Sequence, residues 1–209
     1  MAIMILDTEY TTWPGALESG WAEDWQHREI VQIAAILLDR DLQEIAHLDQ
    51  LVKPTVNPVL SDLFVDLTGI TQSQVDSEGV DLAKATRRLA GFGGGSEFSP
   101  VICMNGDEAV FRENHALLGL ELPFDRPWHR LRPFLEESGV DVETHSSGDL
   151  HRLTPVPLVG HTHNALHDVR SMAAWIRHAA VHGRLQRLDQ LPTDLPTSDP
   201  RSGRSAGRP

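Results

Sequence analysis

The sequence predicts an α/β fold, a mixed five-stranded sheet flanked by helices, on three observations. Short aliphatic or β-branched runs recur at Ile3 to Leu6, Glu29 to Asp39, Leu48 to Lys53 and Val101 to Met104, and Arg126 to Leu131 is a candidate fifth strand. Helical patterns lie between and after them. Acidic residues gather where these runs end or where a helix begins.

Taken in order, Ile3 to Leu6 reads as a buried strand that delivers Asp7 and Glu9 at its C-terminal end. Tyr10 to His27 has no clean periodicity and holds Pro14, Gly15 and Gly20, so it reads as a long loop. Loops of that length in a compact domain are usually functional, and three of the chain's 5 tryptophans (Trp13, Trp21, Trp25) make this one a candidate stacking or lid element. The next two runs, separated by the polar Arg40 to His47, fit an antiparallel hairpin ended by Pro54 and Pro58. Ser61 to Thr68 and Thr71 to Ser77 read as short helices hinged at Gly69. Asp81 to Phe92 reads as an amphipathic helix stopped by Gly93, Gly94 and Gly95. Val101 to Met104 then leads through Asn105-Gly106 to Asp107 and a helix over Glu108 to Leu118. Arg126 to Leu131 is a fifth strand and Arg132 to Glu137 a helix closed by Gly139. Asn164 to His182 is the longest helical pattern, with Leu166, Val169, Met172, Ala173, Trp175, Ile176 and Ala180 as its buried side.

The chain of 209 residues supports one domain, over residues 1–191. Pro192 to Pro209 is rich in Pro, Ser, Asp, Gly and Arg and is expected to be a disordered tail. With 18 basic against 30 acidic residues the formal net charge is -12, the wrong sign for a protein that coats nucleic acid. A polyanionic substrate must therefore be met locally, by cations held on clustered carboxylates. Cys103 is the only cysteine, which excludes an intrachain disulfide and a thiolate-built zinc site. No apolar stretch approaches the ~20 residues of a membrane span, so a cytoplasmic protein with no membrane partner is expected.

In an Asp-x-Glu on a strand both acids project from one face, because side chains alternate with period two. Asp7 and Glu9 meet that condition, and two buried carboxylates are costly without a metal or hydrogen-bond partners. The segment His163 to Asp168 places a histidine five residues before an aspartate at the start of the longest helix, close enough to serve one site. Asp168 is then a further metal ligand, and His163 can take a proton from water at neutral pH. Phosphodiester hydrolysis needs such an assembly: an activated water, neutralised phosphate charge and a stabilised leaving oxygen, which two divalent ions about 3.5–4 Å apart supply.

These residues resemble the DEDDh family of 3′-to-5′ exonucleases in the RNase H-like superfamily, and within it the Eri-type group. The likeness runs from Ile3 to about His182 and rests on five segments in order: DTEYT at Asp7, EIVQIAAILLD, LTGIT at Leu67 to Thr71, NGDEAVF around Asp107, and HNALHDVRSMA from His163. The resemblance implies that Asp7 bridges two Mg²⁺ or Mn²⁺ ions, that Glu9 and Asp168 complete the first ion's ligands, and that Asp107 holds the second. It implies His163 as the base and the 3′ end of single-stranded RNA or DNA as the substrate, RNA slightly favoured. Thr8, Tyr10, Trp13, Leu67 and Thr68 would line the terminal nucleotide. Two departures stand out. Family members often carry an aromatic just before the second-motif aspartate, where this chain has Gly106, so Glu108 rivals Asp107. The loop from Pro14 to Gln26 is longer than in many relatives.

Other readings compete. His161, His163 and His167 have a spacing that suits zinc, although this leaves Asp7 and Glu9 unexplained; His161 and His167 are expected to be solvated or capping residues. Arg87-Arg88, Arg130-Arg132 and Arg177 through Arg187 are basic clusters that are either phosphate contacts or solvated faces. The alternatives for the whole chain are an enzyme on short oligonucleotides or nucleotide-like small molecules, and a non-catalytic module that binds nucleic acid or protein.

Overall fold

Main-chain pairing carries the first strand past its apolar run. In the computed structural model, which describes residues 2–93, 100–123 and 127–183, β1 spans Ile3–Tyr10, so Asp7 and Glu9 lie inside the strand and not after it. The antiparallel ladder to β2 (Ile30–Leu38) continues through Asp7↔Ala34 and Glu9↔Gln32, because ladder bonds do not depend on side-chain polarity. β3 (Glu44–Leu51) is an edge strand that starts at Glu44, ahead of the expected Leu48; Glu44, Ile45, His47 and Asp49 are exposed, so no continuous apolar run marks its start. β4 (Val101–Cys103) and β5 (Trp128–Arg130) pair in parallel on the other side of β1, giving the mixed five-stranded order β3-β2-β1-β4-β5.

The remaining elements are α1 (Ala16–Ser19), α2 (Asp62–Thr68), α3 (Gln72–Glu78), α4 (Leu82–Gly91), α5 (Asp107–Leu117), α6 (Arg132–Glu137), a 3₁₀ segment Ser147–Leu153, and α7 (Ala165–Val181). Ser61, Thr71 and Asp81 cap α2, α3 and α4 by accepting from the amides of Phe64, Gln74 and Lys84. Helix α1 inside the long loop and the 3₁₀ segment are additions to the sequence reading. Gly94, Gly95, Arg126 and the tail from Pro192 to Pro209 lie outside the described residues.

Strand alternation divides the molecule. Ile3 and Ile5 join Ala34, Ile36, Val169, Met172 and Ile176 in one core, beneath α7. Met4 and Leu6 join Ile33, Ala35, Leu89, Val110 and Phe111 in the other, beneath α4 and α5. The period of two therefore sends Asp7 and Glu9 toward the α7 side and Thr8 and Tyr10 toward the α5 side. Burying these cores on both faces explains why β1 and β2 read as nearly continuous apolar runs.

Two buried polar side chains pin the pieces that matter for the site. Gln32 donates to Asp49 at 2.8 Å and accepts from the Ala165 amide at 2.9 Å, which ties the first turn of α7 to β2. The Glu29 carboxylate accepts from the amides of Thr55 (2.6 Å), Val56 (2.9 Å) and Asn57, which fixes the chain that leads into α2. Gln32→Ala would strand the Ala165 N–H in the core, so denaturant unfolding should show a loss of about 1–3 kcal/mol; an unchanged midpoint would remove Gln32 as an anchor.

Candidate active site

Three local devices bring the acids together. β1 presents Asp7 and Glu9 on one face. Asp107 opens α5, where an acid complements the helix dipole, and its carboxylate accepts a 2.7 Å hydrogen bond from Thr8 Oγ1. Asp168 lies in the first turn of α7, whose N-cap is Asn164. All four are buried: Asp7 is 7% exposed, Glu9 9%, Asp107 7% and Asp168 1%. Glu108, the rival for the second motif, turns to Arg112 at 2.8 Å and does not line the cleft.

His163 sits on the loop just before the α7 cap with φ 68°, in the left-handed region that non-glycine residues seldom occupy. Its ring and the carboxylates of Glu9 and Asp168 offer ligand atoms within 4.8 Å of one another. Burial holds its pKa below the usual histidine value, with Asp149 opposing, so the imidazole is neutral and able to accept a proton at pH 7.

No sequence pattern marks Ser147 and Gly148. Ser147 Oγ donates to Asp168 Oδ2 at 2.8 Å. Gly148 packs so closely that a Cβ would run into the Asp168 carboxylate and Thr162, and its carbonyl faces His167 Nε2 at 3.1 Å. His167 is therefore a buried residue, packed edge-on against His151 at 5.3 Å, and not the solvated or capping one expected; His161 is exposed. Among the described residues, the metal-like group is Glu9, His163 and Asp168, and the three-histidine set is not assembled.

The acids and His163 line a cleft of about 330 Å³. Thr8, Tyr10 and Leu67 line it as well, whereas Trp13 and Thr68 do not. Trp13 packs against Trp25 with centroids 4.9 Å apart. Thr68 is buried, its hydroxyl donating to Phe64 O and accepting from Ile70 N within the turn that aims Leu67. Of the arginine clusters, Arg88 bonds Gln50, Arg132 bonds Glu136 and Glu143, and Arg177 bonds the Leu42 carbonyl.

Crowding sets the electrostatics. Burial, then the charges of Asp107, Asp168 and Glu9, push the Asp7 carboxyl well above the usual range. Glu9 is raised by burial and by Asp168 and Asp107. Burial also raises Asp107, against the Thr8 hydrogen bond, and lifts Asp168 to about 7 against the bond from Ser147. Asp168 Oδ1 is buried with no hydrogen-bond partner. An orphaned anionic oxygen among repelling carboxylates, with a neutral imidazole beside it, fits a hard divalent cation.

The sign of the pH dependence follows. A carboxyl raised in the fold stabilises it below the unfolded value near ~4, and that contribution is lost as pH rises through the folded value, about 7 for Asp168. Cations compete with the protons, so the melting-temperature gap between Mg²⁺ or Mn²⁺ and EDTA should widen from pH 5.5 to pH 8. Asp168→Asn in EDTA should melt above wild type at pH 8. A gap that is flat with pH would contradict the cluster as a cation site. Gly148→Ala should shrink the gap, since the added methyl displaces the Asp168 carboxylate.

The family model described as Exonuclease (RNase_T) matches residues 4–175. The chain is 40% identical over 75 residues to 3′-5′ exoribonuclease 1 of Homo sapiens, covering 35% of this chain and 20% of that protein. It is 37% identical over 83 residues to ERI1 exoribonuclease 2 of Xenopus laevis, covering 38% and 11% respectively. The chain thus spans a fifth or less of the curated relatives it matches. Among solved structures, the nuclease domain of 3′hExo, a DEDDh family member bound to rAMP, superposes with a TM-score of 0.75 at 22% identity, over 93% of this chain and 96% of that one. E. coli Exonuclease I in complex with a dT13 oligonucleotide gives 0.63 at 16% identity, over 86% and 41%. The chain belongs to the exonuclease family that the matching family model describes, and its fold is that of the RNase H-like exonucleases.

Proposed function

We propose that the protein is a 3′-to-5′ exonuclease that hydrolyses phosphodiester bonds at the 3′ end of single-stranded nucleic acid, RNA in preference to DNA, and releases nucleoside 5′-monophosphates. The observation that carries this reading is the convergence of four buried acids and a neutral histidine in one cleft. The named exoribonucleases among the relatives support RNA.

Asp7 would hold both of two Mg²⁺ or Mn²⁺ ions, Glu9 and Asp168 one, and Asp107 the other. Bound there, the ions supply charge neutralisation at the phosphate and a lowered pKa for the attacking water. His163 would take a proton from the attacking water on its neutral imidazole. The backbone strain at its positive φ is the kind of cost that persists at a working site. Ser147 and Gly148 hold the Asp168 carboxylate in place. Thr8, Tyr10 and Leu67 line the terminal nucleotide, with Thr68 setting Leu67 from behind and Trp13 bracing the loop.

The test is a gel assay with 5′-labelled single-stranded RNA and DNA of equal sequence in Mg²⁺, Mn²⁺ or EDTA. A metal-dependent ladder shortening from the 3′ end is expected, faster on RNA and absent for Asp7→Ala and Asp168→Ala. His163→Ala should lose about 10²–10⁴-fold in turnover while still binding metal. No cleavage of either polymer would turn the reading to short oligonucleotides, nucleotide-like small molecules or binding without catalysis.

A further inference from the structure

The 11–27 loop aims one aromatic ring at the cleft, and its local geometry is built for that. Helix α1 ends on a left-handed pair, Gly20 at φ 66° and Trp21 at φ 54°. Their amides return to the carbonyls of Leu17 (3.2 Å) and Ala16 (2.8 Å), which closes the helix and fixes the backbone of Trp21. The indole is then braced on several sides. Its Nε1 donates to the Thr11 carbonyl at 3.2 Å. Tyr10 meets it edge-on with centroids 5.6 Å apart. The Arg28 guanidinium lies 5.5 Å from its centroid and is itself locked by two hydrogen bonds to Glu113.

So held, Trp21 remains half-buried and lines the same cleft as Asp7, Glu9, Asp107 and Asp168. It also lines a separate groove of about 1010 Å³ between residues 19–28 and the second half of α5, so the ring stands as a wall between the two. Trp13 and Trp25 satisfy each other edge-to-face and line neither space. The start of α5 contributes no ring of its own. Gly106 lines the cleft there, and a Cβ at that position would meet nothing within 4 Å.

An unpaired terminal base is gripped chiefly by stacking on an aromatic face. We propose that Trp21 is the stacking platform for the 3′-terminal base of the substrate, with Arg28 as the positioning residue behind it. The inference rests on the exonuclease reading and specifies how its site holds the base. Because every nucleobase has a π-face, the grip tolerates all four bases. Arg28, which is paired with Glu113 and lines the cleft as well, steadies the indole.

The test is equilibrium binding of adenosine 5′-monophosphate by calorimetry, alongside hydrolysis of oligonucleotides that end in a normal or an abasic 3′ nucleotide. Trp21→Ala should weaken mononucleotide binding about 5- to 150-fold, the range measured for loss of one base stack. Trp21→Leu, which fills the space without a π-face, should do the same, and Trp21→Phe should fall between. Wild type should prefer the normal end over the abasic one through KM, and Trp21→Leu should lose that preference. Restored binding on adding Gly106→Trp to Trp21→Ala would support the same account. Wild-type affinity in Trp21→Leu, or an unchanged preference against the abasic end, would overturn it. A wild-type protein that binds the mononucleotide through Trp21 but cleaves no polymer would overturn the exonuclease reading and leave the stacking platform standing.

Discussion

Four carboxylates share one small volume with little solvent between them, and their repulsion is the constraint around which the fold is arranged. Two unit charges 4 Å apart interact by about 4 kcal/mol at an effective dielectric of 20. Clustered buried acids therefore work against folding unless something else holds the backbone. Here that is done by the elements beneath. β1 is the middle strand, paired on both edges and covered on both faces. Gln32 ties the start of α7 to β2, and Asn114 ties α5 to the start of β2 by accepting from Ile30 N at 2.9 Å. The acids are held by anchors that do not themselves carry charge into the cleft.

That arrangement separates stability from chemistry. The apolar cores end at Ile5 and Leu6 on this strand, and the next two residues on its α7-facing side are the acids Asp7 and Glu9 of the proposed site. A strand that continues in hydrogen bonding after its apolar residues stop can carry polar groups into a protected place at no loss of pairing. On the α5-facing side, Thr8 restrains Asp107 and Tyr10 braces Trp21. One eight-residue strand thus supplies two acids, the partner of a third, and support for the ring on the cleft wall.

Legibility in the sequence followed the physics of each element. The alternation in Asp7-Thr8-Glu9 and the step from strand to helix at Asp107 are local patterns, readable because period and helix-start chemistry are local. The spacing of His163 and Asp168 was readable for the same reason. Ser147 and Gly148 were not, since a 3₁₀ turn of small polar residues has no periodicity and their importance lies in contact with a residue 21 positions on. His167 misled because a histidine on a helix start looks solvated until the packing of the 3₁₀ segment over it is known. β3 began early because an exposed edge strand, whose Ile45 and Ala46 stand between polar residues, shows no continuous apolar run. Among the loop tryptophans, only tertiary packing separates Trp21 from the mutually packed Trp13 and Trp25.

On the proposed reading the carboxylate cluster is a divalent-cation site and not a structural accident. The most direct measurement is calorimetric titration of Mn²⁺ into the protein at pH 7.5 in buffers of different ionisation enthalpy, which counts the protons released. Saturable binding with net proton release is expected, because burial lifts Asp168 to about 7 and a bound cation displaces its remaining proton, while burial and mutual repulsion raise the Asp7 and Glu9 carboxyls as well; that binding should be lost in Asp7→Asn. Binding without proton release, or affinity retained in Asp7→Asn, would contradict it.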